Sequence, residues 1–324
     1  MRAEWLRNLT PKWDWQWVDT DLPMIESARV WRSLAFRKQS GPAVDRINSE
    51  VLRNLKPAQS DLIWVDKAVF LRPATLQKVR SAARRLVHFT PDTAFGANTS
   101  RHFEANIGLY DVLVTTKSFE LGKYADRVPA DRMCLTTQGF DPLVHYPRGS
   151  SEVRRREVAF VGLAEPDREQ CVATMLEHNV HIRLAGRGWT RFVAKWEGHA
   201  CLHFEGEDSF GDAYAGLLSK AWIGLGLLSK RFSELHTTRT FEIPACGAIL
   251  ATPRTSETTR FFADSEAIFF DDYAELAKKI AQMFSQSSAQ SLEKISEAGR
   301  KRVTADGRDY PRILSRVLED PRLS

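Results

Sequence analysis

The amino-acid sequence predicts an α/β fold of two domains, each built around a mostly parallel β-sheet. Short apolar runs of strand length alternate with amphipathic stretches along most of the chain, a pattern typical of parallel sheets covered by helices. The 324 residues are enough for about two domains. Turn-forming residues and a run of arginines mark a linker at 142–156. We therefore expect one domain at 1–141 and another at 157–324, facing each other across a ligand-binding cleft.

The apolar runs predict strands and helices in both halves. The predicted strands are Trp13–Val18, 61–65, 86–89, 112–115, 133–137, 158–161, 181–185, 222–227, 248–251 and 267–270. The predicted helices include 2–9, 167–177, 210–219, 273–284, 291–303 and 310–318. One of the last two helices is in a position to cross back to the first domain.

The beginning of the chain departs from the usual pattern of such a domain. A doubly wound domain normally opens with a strand that leads into the first helix, and here the helical pattern at 2–9 comes first. We expect that this strand is missing because the start of the sequence is assigned too late; the alternative is a first sheet that is one strand short. Trp13, Trp15 and Trp17 alternate, so on a strand they would share one face. We expect that face to be part of the core and not a platform for stacking sugars.

Composition and charge exclude several classes of protein. Hydrophobic residues make up 43% and charged residues 27%, which argues against a disordered chain. No apolar run reaches the roughly 20 residues of a membrane span, and the first residues do not form a signal peptide. The four scattered cysteines are typical of reduced thiols. Together these features predict a cytoplasmic protein.

The positive charge lies in the first half of the chain. Residues 1–150 hold 22 Lys and Arg against 16 Asp and Glu, a net charge of +6, and the remaining 24 and 25 give −1. A solvated surface without a partner is one explanation. The other is an anionic partner, either a phosphorylated acceptor or the inner face of a membrane. No motif for binding nucleic acid is present.

The most informative segment is 234–250, which follows a predicted strand. Glu234 and Glu242 have seven residues between them. A short helix that begins near Thr237–Thr240 would direct its N–H groups and positive dipole end at a phosphate. Arg239 can add a bidentate contact, and Gly247 suits the position after the helix, where φ is positive.

Polar residues also follow two predicted strands of the first half. His88 and Asp92 come at the end of one strand and Lys117 follows the next. The carboxyl ends of parallel strands face the ligand crevice, so these residues are candidates to contact an acceptor or, for His88 and Asp92, to act as a general base. A structural role for His88, a capping or turn role for Asp92 and a solvated Lys117 are equally compatible with the pattern. Asp19 and Asp21 are expected to cap a helix, and no metal site is predicted.

The segment 239–247, Arg-x-Phe-Glu-x-Pro-Ala-Cys-Gly, resembles the CgeB-like group of glycosyltransferases, as does 266–276. The spacing of Glu234 and Glu242 resembles that of retaining GT-B glycosyltransferases of family 4. The resemblance is stronger over 140–324 than over the first half. It implies a GT-B fold, with two Rossmann-like domains, an acceptor site in the first and a nucleotide-sugar site in the second.

The resemblance also implies roles for individual residues. Glu242 would hold the ribose of the donor and Glu234 would lie near its sugar. The loop that contains His236, Thr237 and Thr238 would hold the diphosphate, close to Gly162. The family has an Arg directly after this glycine and a Lys later, and both are replaced here. Arg187 and Arg239 are the expected substitutes.

The function expected from the resemblance is transfer of a sugar, from a UDP-sugar, to a glycan, lipid-linked or protein acceptor. The reaction is expected to retain the anomeric configuration, without a metal or other cofactor, because helix dipoles and basic side chains stabilise the leaving diphosphate. Two alternatives stay open. One is a non-catalytic binding module of the same fold, and the other is an inverting enzyme with His88 or Asp92 as the base.

Overall fold

The protein consists of two compact units. The structure, a computed structural model, describes residues 1–56, 58–67, 69–150 and 153–323. The first unit contains residues 1–137 and 313–323, and the second contains 138–312. The first unit ends at 137, before position 141, and it includes most of the last helix from Ile313 onward, one of the two helices that the sequence placed in a position to cross back. Residues 151 and 152 of the predicted linker lie outside the described ranges.

The first unit is built on a four-stranded parallel sheet in the order β1-β2-β3-β4. Its strands are β1 (Ser60–Asp66), β2 (Ala83–Thr90), β3 (Val112–Thr115) and β4 (Met133–Leu135). Its helices are α1 (Arg2–Leu9), α2 (Leu22–Ile25), α3 (Arg29–Lys38), α4 (Pro42–Asn54), α5 (Pro73–Ser81), α6 (Arg101–Asn106) and α7 (Leu121–Ala125). Four of the predicted strands are confirmed in this sheet.

Alternating residues of the central strands pack on both faces of this sheet. Leu86 and Leu113 face one hydrophobic cluster, which includes helix α4. Val87 and Phe89 face another, which includes Leu6 of α1. Because both faces are covered, β3 and the part of β2 from Leu86 to Thr90 are buried throughout, as expected for central parallel strands.

The predicted strand Trp13–Val18 is wrong. These residues form an irregular segment between α1 and α2. The three indoles stack on one another instead, with ring centroids 5.8 Å apart for Trp13 and Trp15 and 5.4 Å apart for Trp15 and Trp17. Trp13 and Trp17 are exposed, so they are not the core residues that the alternation suggested. Alternation alone cannot show whether a neighbouring strand is available for pairing.

The second unit is built on a six-stranded parallel sheet in the order β10-β9-β8-β5-β6-β7. Its strands are β5 (Arg155–Val161), β6 (Ile182–Ala185), β7 (Leu202–Phe204), β8 (Ala221–Leu225), β9 (Ile249–Pro253) and β10 (Ile268–Phe270). Its helices are α8 (Pro166–Glu177), α9 (Thr190–Lys195), α10 (Gly211–Lys220), α11 (Arg239–Ala245), α12 (Thr258–Phe261), α13 (Tyr273–Gln286), α14 (Ala289–Ala305) and α15 (Tyr310–Leu318), the last of which continues into the first unit.

The strand order reverses between β5 and β8, and this reversal positions the candidate site. The chain runs from β5 outward through β6 and β7, and then returns to β8 on the other side of β5. In such sheets a crevice opens at the carboxyl ends of the two strands where the direction changes. Gly162 follows β5 at this edge, and the segment 226–238 follows β8 there.

No helix within the described residues is both long and apolar enough to cross a membrane.

Gly186, which follows β6, makes a close approach to the same edge. Its φ of +127° is a conformation that residues with a side chain rarely adopt, and a Cβ atom on it would lie 2.1 Å from the carbonyl oxygen of Gly162. Only glycine fits here, because the contact is with backbone that cannot move aside.

Gly186→Ala is therefore expected to lower the free energy of unfolding by about 3 kcal/mol or more, through backbone strain and a steric clash. Urea unfolding followed by tryptophan fluorescence measures the change. Gly216→Ala, on helix α10 with nothing within 4 Å of its Cβ position, is the matched control and should stabilise by about 0.5–1 kcal/mol. A Gly186→Ala protein as stable as the parent would contradict this interpretation.

Candidate active site

The candidate site begins where β5 ends, at Phe160, Val161 and Gly162. The Gly162 N–H donates to the carbonyl of Ala185 over 3.0 Å, and its own carbonyl accepts from the Trp189 indole over 2.8 Å. A Cβ atom at Gly162 would lie 3.0 Å from the Phe160 ring and 3.7 Å from Cζ of Arg239. The missing side chain therefore brings the backbone close to a guanidinium group.

Two arginines meet at the buried ring of Phe160. Cζ of Arg239 and Cζ of Arg168 each lie 6.0 Å from its centroid. Burial, followed by the positive charge of Arg239, lowers the pKa of Arg168 from its usual value. The two guanidinium groups are therefore near enough to repel each other.

Arg168 is buried and Arg239 half-buried, and both lack much of the bonding that buried polar atoms normally have. Arg239 forms no hydrogen bond or ion pair with any residue that the structure describes, and its Nε is buried. Arg168 is 5% exposed. It donates from Nη1 to the carbonyl of Leu163 over 3.1 Å and lies 3.6 Å from a carboxylate oxygen of Glu165. A site with two such cations suits an anion with several oxygens.

Arg168 was not predicted from the sequence. The lysine that the family resemblance implies is absent from this part of the domain, but an arginine supplies the same charge. The signal was present as an arginine in the first turn of a predicted helix that follows the Gly162 turn. Arg187, which was predicted instead, is exposed and pairs with Asp208 over 3.0 Å in solvent. The structure does not bring Arg187 to the Phe160 ring.

The helix predicted from the motif is present as α11. It begins at Arg239 with Thr238 as its N-cap residue, and Gly247 follows it with a φ of +83°. Both features were predicted. The Thr237 N–H donates to Oγ1 of Thr240 over 3.1 Å, while the Thr237 hydroxyl is buried with no hydrogen-bond partner among the described residues.

Glu242 lies on α11, and its carboxylate is bonded by one side chain and approached by a second. Its Oε2 accepts from the Tyr214 hydroxyl over 2.8 Å, and its Oε1 lies 3.8 Å from Nε2 of His145. Burial lowers the pKa of His145 and raises that of Tyr214, so both side chains are neutral near pH 7. Neither partner could be identified from the sequence, because His145 and Tyr214 are distant from Glu242 along the chain.

Glu234 lies half-buried in the segment after β8. Its negative charge raises the pKa of Arg168, in opposition to burial, so the carboxylate is close to the arginine pair. Gly162, Arg168, Glu234 and Arg239 therefore gather at one edge of the second sheet.

His236 is not arranged as a ligand-binding side chain. Its ring is 2% exposed and packs edge-on against Phe241 and Phe261. Nε2 accepts the backbone N–H of Gln138 over 3.2 Å, so the proton lies on Nδ1, which is 2.5 Å from a carboxylate oxygen of Glu257. The ring thus joins the segment before α11 to Gln138 and to Glu257, which precedes α12. The side chain thus has a structural role, and the expectation that the loop containing His236 holds the donor stays a prediction.

The predicted residues of the first unit lie near the carboxyl ends of β2 and β3. His88 is 1% exposed, and burial lowers its pKa to about 4. Its Nε2 lies 3.0 Å from the carbonyl of Lys67. Asp92 forms an ion pair of 2.6 Å with Lys67, and Lys117 is buried. His88 is thus closed to an acceptor in this structure, which does not support its use as a base.

No metal site was predicted from the sequence. Across 1–56, 58–67, 69–150 and 153–323, no group of three or more His, Cys, Asp and Glu side chains is arranged to hold a metal ion. Asp19 accepts from the N–H groups of Asp21 and Leu22 at the start of α2, as predicted, whereas Asp21, the N-cap residue, makes no side-chain cap hydrogen bond.

Comparison with known proteins gives one family match. Residues 166–318 match the family model described as "Glycosyl transferase-like". This match supports the predicted glycosyltransferase, and the matched region contains Arg168, Glu234, Arg239 and Glu242. No curated protein sequence matches the chain.

Solved structures confirm the GT-B fold. Sucrose-phosphate synthase from Thermosynechococcus elongatus aligns with a TM-score of 0.64 at 14% identity, over 85% of this chain and 76% of that one. Anabaena Alr3699/HepE in complex with UDP-glucose aligns with a TM-score of 0.64 at 12% identity, over 94% and 96%. A trehalose-6-phosphate protein from E. coli bound to UDP-2-fluoro glucose aligns with a TM-score of 0.61 at 12% identity, over 94% and 86%.

The contact between His236 and Glu257 gives a testable prediction. Glu257→Ala is expected to lower the free energy of unfolding by about 1–3 kcal/mol, because the buried Nδ1–H of His236 loses its acceptor. Urea unfolding measures the change, and Glu257→Gln should restore part of the loss because its amide oxygen can accept the same bond. The control is Asp264→Ala, which breaks an exposed pair with Arg254 worth at most about 1 kcal/mol. Equal effects of the two alanine variants would refute the assigned role.

Proposed function

We propose that this chain, in which a glycosyltransferase-like region lies within a GT-B fold, transfers a sugar from a UDP-sugar to an acceptor. The observation that carries the proposal is the arginine pair at the Phe160 ring, of which Arg239 has no anionic partner among the described residues. UDP is the favoured nucleotide because two of the aligned structures hold UDP-glucose or its 2-fluoro analogue.

The diphosphate of the donor would lie against Arg168 and Arg239. A guanidinium group presents several donors in a fixed fork, which suits phosphate oxygens. Gly162 lets the backbone approach the same place because it has no side chain. As the bond to the sugar breaks, negative charge grows on the diphosphate, and fixed positive groups there stabilise the transition state more than the ground state. The arginines supply this stabilisation without a metal.

Glu242 would accept hydrogen bonds from the ribose hydroxyls. Tyr214 occupies one of its carboxylate oxygens and fixes the orientation of the group. The other oxygen, near His145, is the one offered to the ribose. Glu234, close to Arg168, would face the donor sugar. These roles follow the CgeB-like resemblance, which is itself part of the proposal.

The reaction would retain the configuration of the anomeric carbon. The acceptor hydroxyl attacks from the face that UDP leaves, the C–O bond to UDP breaks, and the leaving diphosphate takes the hydroxyl proton. No protein nucleophile is needed. The acceptor would be a glycan, a lipid-linked molecule or a protein. An inverting reaction needs a base on the opposite face, and the burial of His88 argues against it in that role.

The arginine pair predicts a difference between UDP and uridine. Arg168→Gln and Arg239→Gln are each expected to raise the Kd of UDP about 10- to 100-fold, because each removes a charge-assisted hydrogen bond worth about 1.5–3 kcal/mol. The Kd of uridine, which has no phosphate, should change little. Isothermal titration calorimetry measures both values. Lys294→Gln on α14 removes an exposed charge and is the control. Equal losses for uridine and UDP would rule out a phosphate contact.

Product analysis tests the proposed activity itself. With a UDP-α-sugar and an acceptor found by screening, the product should have the α configuration by NMR, and Glu242→Ala should weaken binding of the donor. A β product would contradict retention. Binding of UDP without turnover of any donor would favour the non-catalytic binding module.

A further inference from the structure

Helix α3 of the first unit exposes large apolar side chains together with α2. Ile25 is 68% exposed, Val30 63% and Phe36 69%, and Trp31 is also exposed. Isolated exposed apolar residues are ordinary, but four within twelve positions are a local concentration that favours contact with another apolar phase. We refer to Ile25, Val30, Trp31 and Phe36, with the basic residues of α3, as the α3 surface.

Few of the apolar side chains of helix α3 pack against the core of the first unit. Ala35 is its one buried residue, and Ser33 and Leu34 are half-buried. The remaining positions of the helix face solvent. Phe36 touches Phe70 edge-on, with ring centroids 5.6 Å apart, and stays largely exposed. The core of the first unit therefore does not account for Val30 and Phe36.

The same helix carries four positive charges and no negative one. Arg29, Arg32, Arg37 and Lys38 are exposed, and none forms an ion pair or a side-chain hydrogen bond with a residue in the described part of the chain. Arg29, Arg37 and Lys38 line a shallow groove of about 700 Å³ together with Val30 and Trp31. Cations and apolar groups thus alternate on one short element.

We propose that the α3 surface binds the surface of an anionic lipid bilayer. Basic side chains would contact the phosphates of the headgroups, while Ile25, Val30 and Phe36 enter the boundary with the acyl chains. Trp31 has the mixed character of residues that reside at this boundary. A second copy of this chain fits less well, because a two-fold contact would bring eight like charges together. This proposal is independent of the proposed transferase activity.

Cosedimentation of the purified full chain with vesicles tests the proposal. Vesicles of equal parts phosphatidylglycerol and phosphatidylcholine should bind the protein, and vesicles of phosphatidylcholine alone should bind it far less. Higher ionic strength should weaken binding through screening. The triple variant Arg29→Gln, Arg32→Gln, Arg37→Gln should lower the partition coefficient roughly a hundredfold. The double variant Val30→Ser, Phe36→Ser should lower it by about tenfold or more.

The matched control removes the same number of charges from the second unit, through Lys278→Gln, Lys279→Gln and Lys301→Gln, all at exposed positions. It should bind vesicles nearly as the parent does, and circular dichroism checks that each variant is folded. Equal loss in the control, or no binding to anionic vesicles by the parent, would overturn the proposal. A dimer in solution that the Val30→Ser, Phe36→Ser variant dissociates, without any vesicle binding, would reassign the surface to self-association.

Discussion

Two guanidinium groups lie at the Phe160 ring at the end of β5, and one of them, Arg239, has no ion pair or hydrogen bond with any described residue. The burial of Arg168 and its repulsion by Arg239 cost free energy that the nearby carboxylates of Glu165 and Glu234 offset only in part. A bound anion would relieve this cost directly. The arrangement is easier to understand as preorganisation for a ligand than as a contribution to stability, since proteins keep such strain mainly where it serves a function.

The surrounding structure leaves space at the carboxyl ends of β5 and β8 and fixes the polar side chains beside the arginine pair. The reversal of strand order places the ends of β5 and β8 together, and two glycines allow the backbone there to come close. Gly186 packs on the carbonyl of Gly162, and Gly162 leaves room for Arg239. Behind them, Tyr214 orients Glu242 and His236 ties the segment before α11 to Gln138. The polar groups are thus positioned by rigid elements and by contacts between distant parts of the chain.

Much of the fold was predictable, and the exceptions have physical reasons. Nine of the ten predicted strands are present, because buried parallel strands are continuous apolar runs. The strand β7 was missed because a polar residue, His203, interrupts its short apolar run of three residues. Trp13–Val18 was predicted as a strand because its residues alternate, although no strand pairs with it. In the site, helix α11 and Gly247 were predicted from local rules. The direction of a side chain is set by distant neighbours, so the burial of His236 was not predictable, whereas a structural role for His88 was one of the two interpretations that the sequence left open.

A crystal structure of the protein with UDP would show whether the diphosphate binds at the arginine pair. The proposal predicts the two phosphates within hydrogen-bond distance of the Arg168 and Arg239 guanidinium groups, close to Gly162, with the ribose at Glu242. UDP bound elsewhere, or bound here with its phosphates turned away from both arginines, would contradict it. The result does not depend on knowing the sugar or the acceptor, so it can be obtained before either is identified.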